Sequence, residues 1–268
     1  MLVLAHVSDL HFDGGRRNVK RAGRVMKYLN GLPGRVDAVL VTGDIADRGR
    51  PDEYQQARAI LDTDIPVLCL PGNHDDRSEY RTHFLNEEGS GPINRAHMIG
   101  DAIVAMCDSS VPGRPGGLLA DETITWLRAV LDDAPPAAPI LIAAHHPPQK
   151  LFTPIVDRIL LDDTDPLEEI IRSDSRIVGM FCGHAHTSAV TTFAGVPLVV
   201  APSVSSVLGP EWEGDGRSHD PVVDYDAPPA IAFHVIDDDH RLTTHFRSIA
   251  KTNSAHGFRR SAQPTLPT

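Results

Sequence analysis

Cysteine is scarce in this sequence, and long apolar runs are missing from it. The three cysteines, Cys69, Cys107 and Cys182, are odd in number, lack CxxC spacing and each lie inside an apolar stretch. We therefore interpret them as small buried hydrophobic residues in a reducing compartment. No apolar run reaches the roughly 18 residues that cross a bilayer, and the amino terminus lacks the basic flank of a signal peptide. We expect a cytoplasmic protein without a membrane span.

Positive charge is in short supply as well. The 268 residues carry 25 Lys and Arg against 36 Asp and Glu, which gives a formal net charge of −11. The phosphate backbone of nucleic acid repels such a surface, so we expect no nucleic-acid partner. The length suits one α/β domain, which we place at residues 1–250, and the remaining residues 251–268 are expected to form a disordered tail.

Short apolar runs recur along the chain and predict strands that are buried on both faces of a sheet. They read LVLAHVS, DAVLVTG, IPVLCLP, AIVAMCD, APILIAA and RIVGMFC. Helical patterns lie between several of them, at 16–29, 51–62 and 121–131, and this alternation is typical of the α/β class. In the last third the helical patterns stop. Two hairpins are predicted there, one turning at Ala194 and Gly195 and the other at Asp238 and Asp239.

Polar side chains follow five of these strands, at the point where each strand ends. The segments are SDLH, TGDIAD, PGNHDD, AAHHPP and CGHAH. Each segment alone is an ordinary turn or helix cap in most proteins, and its predictive value is small. Open α/β sheets, however, collect their ligands at the carboxyl ends of the strands, and all five segments fall there in order. The sequence therefore predicts one site at this edge of the sheet.

The residue types at these strand ends form a consistent set of metal ligands. Carboxylates, imidazoles and an amide oxygen, without a thiolate among them, suit Mn²⁺, Fe, Zn²⁺ or Mg²⁺. Seven such groups are too many for one ion and about right for two ions that share a bridging carboxylate. Two ions held in this way favour displacement at phosphorus.

The motifs DLH, GDIADRG, GNHD, HHPP and GHAH together resemble those of the calcineurin-like metallophosphoesterases, in order from Asp9 to His186. That resemblance implies an α/β fold, a four-layer α/β/β/α sandwich with mixed sheets flanked by helices. Within this superfamily, GNHDDR, AHHPP and the DSSVPGRPGGLL loop ahead of WLRAVL resemble the bacterial class III cyclic nucleotide phosphodiesterases and the related glycerophosphodiesterases. The chain is therefore expected to be a metal-dependent phosphodiesterase.

The resemblance also implies a role for each residue of the site. Asp9, His11 and His186 would hold one metal, Asn73, His145 and His184 the second, and Asp44 would bridge them. His74 matches the catalytic imidazole, and Asp47 matches the residue that pairs with that imidazole. The implied reaction is attack on the phosphodiester by a hydroxide that bridges the two metals, with His74 protonating the leaving alkoxide.

Other residues near the motifs have competing interpretations. Arg77 could bind a substrate phosphate or pair with Asp76. His146, next to a predicted ligand, is expected to form a wall of the substrate pocket. We expect Asp75 and Asp76 to cap a helix that starts near Arg77.

Three features farther from the motifs receive plainer interpretations. A basic stripe on the first helical pattern is interpreted as a solvated helix face, and it comprises Arg16, Arg17, Lys20, Arg21 and Arg24. The histidines of the last hairpin, His234, His240 and His245, are interpreted as ordinary strand residues. Residues 203–229 show no clear pattern and are expected to be a functional loop or an insertion, in which Trp212 is a candidate to stack on a base or to cover the mouth of the site.

Several alternatives remain open at this point. The favoured substrate is a small 3′,5′-cyclic nucleotide such as cyclic AMP, but a glycerophosphodiester or a broad range of diesters would use the same metal site. A non-catalytic scaffold is a rival of another class, although such relatives normally lack some of the ligands present here. A DNA nuclease is disfavoured by the net charge. For the metals we favour Mn²⁺, Fe or a mixed Fe/Mn pair, with Zn²⁺ as the alternative. A homo-oligomer is a further open possibility.

Overall fold

The computed structural model describes residues 1–214 and 222–250. The expected tail at 251–268 therefore lies outside the described residues. The strands are β1 Leu2–Val7, β2 Ala38–Thr42, β3 Val67–Leu70, β4 Arg95–Ile99, β5 Ala102–Cys107, β6 Gly117–Leu118, β7 Ile140–Ala144, β8 Leu161–Asp162, β9 Ile177–Cys182, β10 Ala189–Phe193, β11 Val196–Val200, β12 Val207–Leu208, β13 Val223–Asp224, β14 Ala230–Ile236 and β15 Leu242–Ser248. The helices are α1 Arg16–Asn30, α2 Pro51–Ile60, α3 Arg77–Glu79, α4 Asp121–Asp133 and α5 Asp165–Ser173. A π-helical segment, Tyr80–Leu85, continues α3, and 3₁₀ turns lie at Val156–Arg158 and Glu211–Glu213.

The elements predicted from the sequence are all present. The six apolar runs form β1, β2, β3, β5, β7 and β9, the helical patterns form α1, α2 and α4, and the two hairpins are β10–β11 and β14–β15. Two of the longer elements, β4 and α5, were not predicted, and neither were the two-residue strands β6, β8, β12 and β13. The strand β4 alternates half-buried and exposed residues and lies at a sheet edge, so its sequence RAHMI has too few apolar residues to stand out.

The longer strands form two mixed sheets. In the first, with order β15-β14-β1-β2-β3, the strands β1, β2 and β3 are parallel, and β14 and β15 join them as antiparallel neighbours. In the second, with order β10-β11-β9-β7-β5-β4, the inner four strands are parallel and the two edge strands are antiparallel. Each sheet therefore presents a row of parallel carboxyl ends, and the polar segments of the sequence lie on these rows.

The two sheets pack face to face between two layers of helices. Leu4, Leu40, Met106, Leu141 and Phe181 belong to the apolar layer between the sheets. The outer face of the first sheet packs against α1 and α2, and the outer face of the second packs against α4 and α5. The predicted four-layer α/β/β/α sandwich is therefore confirmed.

Two arginines of α1 contact the loop that follows β11. Arg21 is only 7% exposed, and it donates hydrogen bonds from Nε to the carbonyl of Val204 and from Nη2 to that of Ala227, both at 2.6 Å. Arg17 donates from Nη2 to the carbonyl of Ser205 at 2.8 Å. The interpretation as a solvated face is wrong for Arg21, which is buried, whereas Arg17 is exposed as expected. Both residues anchor the loop that follows β11.

That loop has more structure than expected. Its described residues include the 3₁₀ turn Glu211–Glu213 and a small antiparallel sheet made of β12 and β13. The residues 215–221 lie outside the described part of the chain. Trp212 is largely exposed to solvent.

The cysteines are buried, as predicted. All three are free thiols in the interior, and burial raises the pKa of the Cys107 thiol to about 12. They therefore behave as small apolar side chains at physiological pH. Across the described residues, no helix combines the length and the apolar character needed to span a membrane.

Candidate metal centre and substrate cleft

The carboxyl ends of five parallel strands meet at one edge of the molecule. Asp9 and His11 follow β1, Asp44 follows β2, Asn73 follows β3, His145 follows β7, and His184 and His186 follow β9. Three of these strands belong to the first sheet and two to the second. The structure thus brings all seven predicted ligands into one cluster, and their roles at a metal stay predictions.

Most of these residues adopt an uncommon backbone conformation. Left-handed φ values occur at Asp9 (54°), His11 (45°), Asp44 (49°), His184 (68°) and His186 (53°). Each such residue costs about 1 to 3 kcal/mol and persists only where the surrounding structure enforces it. A Cβ on Gly72 would lie 2.2 Å from Oδ1 of Asp44, so glycine is needed where the ends of β2 and β3 approach each other. These turns bend the chain at the strand ends and direct the side chains to one place.

One half of the cluster consists of Asp9, His11 and His186. Nε2 of His11 and Nε2 of His186 are 3.0 Å apart, and Nε2 of His186 is 3.6 Å from Oδ1 of Asp9. Oδ2 of Asp44 lies 3.6 Å from the same nitrogen of His11. These four side chains offer ligand atoms that all lie within 4.8 Å of one another, so one ion can be shared among them.

The other half consists of Asn73, His145 and His184. Nε2 of His145 lies 3.1 Å from Oδ1 of Asn73, 3.2 Å from Nδ1 of His184 and 3.4 Å from Oδ2 of Asp44. Oδ2 of Asp44 therefore contacts both halves, through His11 on one side and His145 on the other. A carboxylate that bridges two ions occupies this kind of position.

Main-chain carbonyls fix the proton on two of these histidines. Nδ1 of His145 donates to the carbonyl of Thr42 at 2.7 Å, and Nε2 of His184 donates to the carbonyl of Ile159 at 3.0 Å. A carbonyl only accepts, so in the neutral rings Nε2 of His145 and Nδ1 of His184 carry lone pairs. These lone pairs face each other across 3.2 Å, with Oδ1 of Asn73 beside them. Three acceptor atoms that face one another repel unless a cation lies between them. This half of the cluster therefore fits a metal ion.

The first half fits an ion for a related reason. Nδ1 of His186 lies 2.9 Å from the hydroxyl of Ser206, and Nδ1 of His11 lies 3.3 Å from Oδ1 of Asp47. Such outer partners aim the remaining ring nitrogen at a metal. Oδ2 of Asp9 is buried and has no hydrogen-bond partner within residues 1–214 and 222–250. A buried carboxylate oxygen without a partner is costly, and a bound cation removes that cost.

The electrostatics of the cluster favour positive charge beside Asp44. Burial alone would lower the pKa of His145, but the charge of Asp44 and a hydrogen bond with it outweigh burial and raise the pKa of His145 to about 9. Burial would raise the pKa of Asp44, yet His145 and His11 hold it well below its usual range. Burial raises the pKa of Asp9 to about 6, whereas burial and the charge of His145 lower the pKa of His184 to about 3. The cluster thus retains a cation next to Asp44, either a proton on His145 or a metal ion.

His74 stands at the exposed side of the cluster. Its ring meets that of His11 edge-on, with 4.7 Å between the ring centroids. Nδ1 of His74 donates to the main-chain carbonyl of Asp47 at 2.8 Å, and Nε2 has no partner in the described part of the chain. Asp47 therefore contacts His74 through its main-chain oxygen, whereas its carboxylate is held by His11. The catalytic role of this pair stays a prediction.

A cleft of about 460 Å³ opens beside His74. Its walls are residues 48, 73–78, 89–90 and 110–113, which include Asn73 and His74. It is therefore the candidate substrate cleft. A larger hollow of about 940 Å³ lies between α2, the π-helical segment and β4, and its walls contain none of the candidate site residues.

Arg77 lines the cleft, and it pairs with a residue that the sequence did not indicate. Its Nε is 2.8 Å from Oδ2 of Asp108, and its Nη2 donates to the carbonyl of Ser110 at 2.6 Å. The alternative pairing with Asp76 is wrong, because the Asp76 carboxylate accepts main-chain N–H groups at the start of α3. The predicted capping role of Asp76 is confirmed by the same contacts.

Asp75 is not a helix cap. Its carboxylate accepts hydrogen bonds from the main-chain N–H groups of Ile45, Ala46 and Gly72 at 3.1, 2.9 and 2.9 Å. It therefore joins the segments that follow β2 and β3, from which Asp44 and Asn73 project. The prediction that Asp75 caps a helix is wrong, because its carboxylate points back to these strand ends.

His146 lies behind the wall of the cleft. Its side chain is fully buried, Nδ1 lies 2.8 Å from the Ser109 hydroxyl, and Nε2 donates to the carbonyl of Pro115 at 3.2 Å. Burial lowers the pKa of His146 well below its usual range, so the ring stays neutral. The prediction of a pocket wall is wrong for His146, because both ring nitrogens hold the loop 109–117 from inside.

The three histidines of the last hairpin occupy different environments. His234 is buried between the sheets, where its Nε2 lies 2.9 Å from Nδ1 of His6 and its ring stacks on that of Phe181. His245 is an exposed strand residue, as predicted. His240 lies in the turn, with a φ of 61°, so its prediction as a strand residue is wrong.

Sequence reasoning missed three residues that support the site. Asp108 directly follows β5, so the rule that identified the other strand ends could have found it. Thr42 contributes a carbonyl to His145, and Ser206 contributes a hydroxyl to His186. No local sequence pattern marks these two contributions.

Comparison with known proteins agrees with this geometry. The sequence model of the calcineurin-like phosphoesterase family matches residues 2–188. The chain belongs to this family. The family is hydrolytic and uses a dinuclear metal site, and the cluster of this phosphoesterase offers ligands for two ions.

Curated relatives of the phosphoesterase fall into two named groups. Glycerophosphodiester phosphodiesterase GpdQ of Enterobacter lignolyticus is 35% identical over 247 residues, which cover 87% of this chain and 86% of the relative. A probable cyclic nucleotide phosphodiesterase of Rhodococcus erythropolis is 34% identical over 212 residues, which cover 75% and 70%. A cAMP/cGMP dual specificity phosphodiesterase of Mycobacterium tuberculosis is 34% identical over 212 residues, which cover 74% and 66%.

Solved structures show the same fold at low sequence identity. A dimetal phosphatase of Danio rerio superposes with a TM-score of 0.69 at 16% identity, covering 93% of this chain and 96% of that chain. A purple acid phosphatase of yellow lupin superposes with a TM-score of 0.64 at 12% identity, covering 92% of this chain and 51% of the lupin chain. The phosphoesterase therefore has the metallophosphoesterase fold.

Proposed function

We propose that this phosphoesterase is a dinuclear metal-dependent phosphodiesterase that hydrolyses 3′,5′-cyclic nucleotides, cyclic AMP among them. One observation carries the proposal: Oδ2 of Asp44 lies between two ligand groups, at 3.6 Å from His11 and 3.4 Å from His145. The cleft beside His74 offers room for the ester group of a substrate whose phosphate lies on the cluster. The relatives named for cyclic nucleotides support this substrate class.

In this proposal each half of the cluster holds one divalent ion. The first ion is held by Asp9, His11 and His186, the second by Asn73, His145 and His184, and Asp44 is shared. Oxygen and nitrogen ligands without a thiolate suit Mn²⁺ or a mixed Fe/Mn pair, with Zn²⁺ as the alternative. Two bound ions would supply an activated water and neutralise the charge that builds on the phosphoryl oxygens.

His74 is the proposed proton donor. The carbonyl of Asp47 holds its Nδ1–H at 2.8 Å and so fixes the orientation of the ring. Nε2 is then the atom that gives a proton to the leaving alkoxide.

A glycerophosphodiester is the second candidate substrate. The relative named GpdQ, 35% identical over 87% of this chain, supports it. The metal cluster would act on either diester, because it contacts the phosphate that both share. The cleft walls, which contact the ester group, decide between them. The cytoplasmic location and the homo-oligomeric state stay predictions.

Hydrolysis by reconstituted protein tests the proposal. Metal-stripped protein is loaded with Mn²⁺, its bound metal is counted, and it is assayed with 3′,5′-cyclic AMP, 3′,5′-cyclic GMP, glycerophosphocholine and bis(p-nitrophenyl) phosphate. A higher kcat/KM for the cyclic nucleotides supports the proposal. A preference for glycerophosphocholine would assign the protein to the second candidate. Two bound ions without hydrolysis of any of the four substrates would indicate a non-catalytic scaffold.

Asp44→Asn is the variant that tests the bridge. It keeps the shape of the side chain and removes the charge between the two halves, so we expect fewer than two ions per chain. We expect kcat/KM to fall about a thousandfold or more, because several kcal/mol of charge stabilisation are lost. Asp132→Asn, at an exposed position of α4, is the control and should change neither quantity. An Asp44→Asn protein with two ions and wild-type turnover would refute the bridging role.

A further inference from the structure

Asp108 fixes the guanidinium of Arg77 in the cleft that also contains His74. The Asp108 side chain is fully buried. Its Oδ2 accepts hydrogen bonds from the main-chain N–H of Ile93 and from Nε of Arg77, both at 2.8 Å. Its Oδ1 accepts from the main-chain N–H and the hydroxyl of Ser110, at 2.9 and 2.6 Å. A carboxylate that accepts hydrogen bonds from four donors has one fixed orientation. Its bond to Nε therefore also fixes the orientation of the Arg77 guanidinium.

Arg77 is held firmly but keeps donors for a ligand. Its side chain is 17% exposed and lines the cleft. Nε is bonded to Asp108, and Nη2 donates to the carbonyl of Ser110, whereas Nη1 makes no hydrogen bond with any of residues 1–214 and 222–250. A guanidinium carries five N–H donors, so several remain after these contacts. An arginine that is fixed in advance and only partly bonded loses little entropy when it binds.

The loop 109–117 adds an apolar surface to the same cleft. Val111, Pro112 and Gly113 line it, and the buried ring of His146 holds the loop from behind through both nitrogens. A fixed apolar surface and guanidinium donors together suit a flat ring that carries acceptor atoms, as a nucleobase does. The glycerol of a glycerophosphodiester has no such ring.

We propose that Arg77 is a substrate-binding residue that contacts the base of the nucleotide, and that Asp108 is a positioning residue that acts through Arg77. This inference rests on the proposed function and states which part of the substrate the cleft recognises. The phosphate lies on the metal cluster, and Arg77 contributes to the choice of ester group. The Arg77–Asp108 pair therefore strengthens the binding of a substrate whose ester group carries a flat ring.

Binding of the reaction product without turnover separates the base from the phosphate. Mn²⁺-loaded protein is titrated calorimetrically with 5′-AMP and, separately, with inorganic phosphate. In Arg77→Met we expect the Kd of 5′-AMP to rise about tenfold to a hundredfold, the usual effect of losing hydrogen bonds from a charged group. The Kd of phosphate should change by less than about threefold, because in this proposal the phosphate lies on the metal cluster and not on Arg77. Arg128→Met, which removes an exposed arginine paired with Glu169 at 3.1 Å, is the control and leaves both Kd values unchanged.

Two results of this titration would overturn the proposal. Equal weakening of both ligands would show that Arg77 binds the phosphate. No weakening of either would show that Arg77 serves only the structure. A wild-type protein that binds 5′-AMP but hydrolyses no diester would contradict the proposed function and leave this inference standing.

Kinetics and a second variant test the positioning role. In Arg77→Met the KM for cyclic AMP should rise while kcat stays within about threefold, because the residue binds the substrate and does not take part in the chemical step. A lower kcat at constant KM would contradict this role. Asp108→Asn should raise the Kd of 5′-AMP in the same direction as Arg77→Met. An unchanged Kd in Asp108→Asn would show that Arg77 does not need Asp108.

Discussion

The histidines of the site differ mainly in which ring nitrogen carries the proton. Carbonyl groups decide this for His145 and His184, and the carbonyl of Asp47 decides it for His74. In the first two rings the remaining nitrogen lies inside the cluster, whereas Nε2 of His74 lies at its exposed side. The hydrogen-bond partner of a histidine therefore decides whether that histidine is a candidate metal ligand or a candidate acid.

Replacing His74 should affect substrates according to their leaving groups. In His74→Gln we expect kcat for cyclic AMP to fall about a hundredfold to ten-thousandfold, because an alkoxide needs a proton in order to leave. Nitrophenolate leaves without one, so kcat for bis(p-nitrophenyl) phosphate should fall by no more than about tenfold. Metal analysis should still find the wild-type metal content. Equal losses on both substrates would rule out proton donation by His74.

Among the secondary-structure elements, α1 supports the site without supplying a ligand. The loop after β11 donates main-chain hydrogen bonds to the carbonyls of Ser8 and Asp9, at 3.0 and 3.1 Å. The same loop brings the hydroxyl of Ser206 to His186. Arg21 of α1 holds this loop through two of its carbonyls. The helix therefore helps to align the end of β1 with the end of β9.

Loss of this helix-to-loop contact should be visible in stability. We expect Arg21→Met to lower the free energy of unfolding by about 2 to 4 kcal/mol, because two carbonyls lose a charged donor. Urea denaturation of the metal-free protein measures the change. Lys20→Met, at an exposed position of the same helix, should change it by less than about 0.5 kcal/mol. Similar values for the two variants would show that the Arg21 hydrogen bonds contribute little.

At the scale of the whole molecule, the site exists because two sheets pack face to face. The first sheet carries four of the candidate ligands and the second carries three. The layer between the sheets also contains a buried pair of histidines, His6 and His234, which contacts the hydroxyls of Thr42 and Thr244 at 2.9 Å each. Burial lowers the pKa of His234 to about 3, so the pair is neutral in the folded protein.

This buried histidine should make the fold sensitive to acid. The folded-state pKa of about 3 for His234 lies below the roughly 6.5 of an unfolded chain. The stability is therefore complete well above pH 6.5 and declines from about pH 6.5 toward pH 3, because only the unfolded chain takes up the proton. When the pH is lowered from 7 to 5, the free energy of unfolding of His234→Gln, measured by urea denaturation, should fall by roughly 2 kcal/mol less than that of the wild type. Equal losses would mean that His234 has the same pKa in both states.

The sequence by itself determined the buried central strands and the order of the candidate ligands. The strands AVLVT and ILIAA are buried along their whole length, and this continuous apolar character is what a sheet covered on both faces requires. Because parallel strands collect ligands at their carboxyl ends, the polar segments after these strands predicted the cluster from Asp9 to His186. The four-layer arrangement followed from the family resemblance of those same segments.

Only the tertiary structure decided which groups pair. The Asp47 carboxylate bonds to His11 while its carbonyl holds His74, Arg77 pairs with Asp108, and Arg21 turns inward to a loop almost 200 residues away. Local patterns report burial and periodicity, which depend on neighbours in the chain. A hydrogen bond depends on distances near 3 Å between groups from remote segments. Those distances are set by the packing of the two sheets and their loops, and no short stretch of sequence contains them.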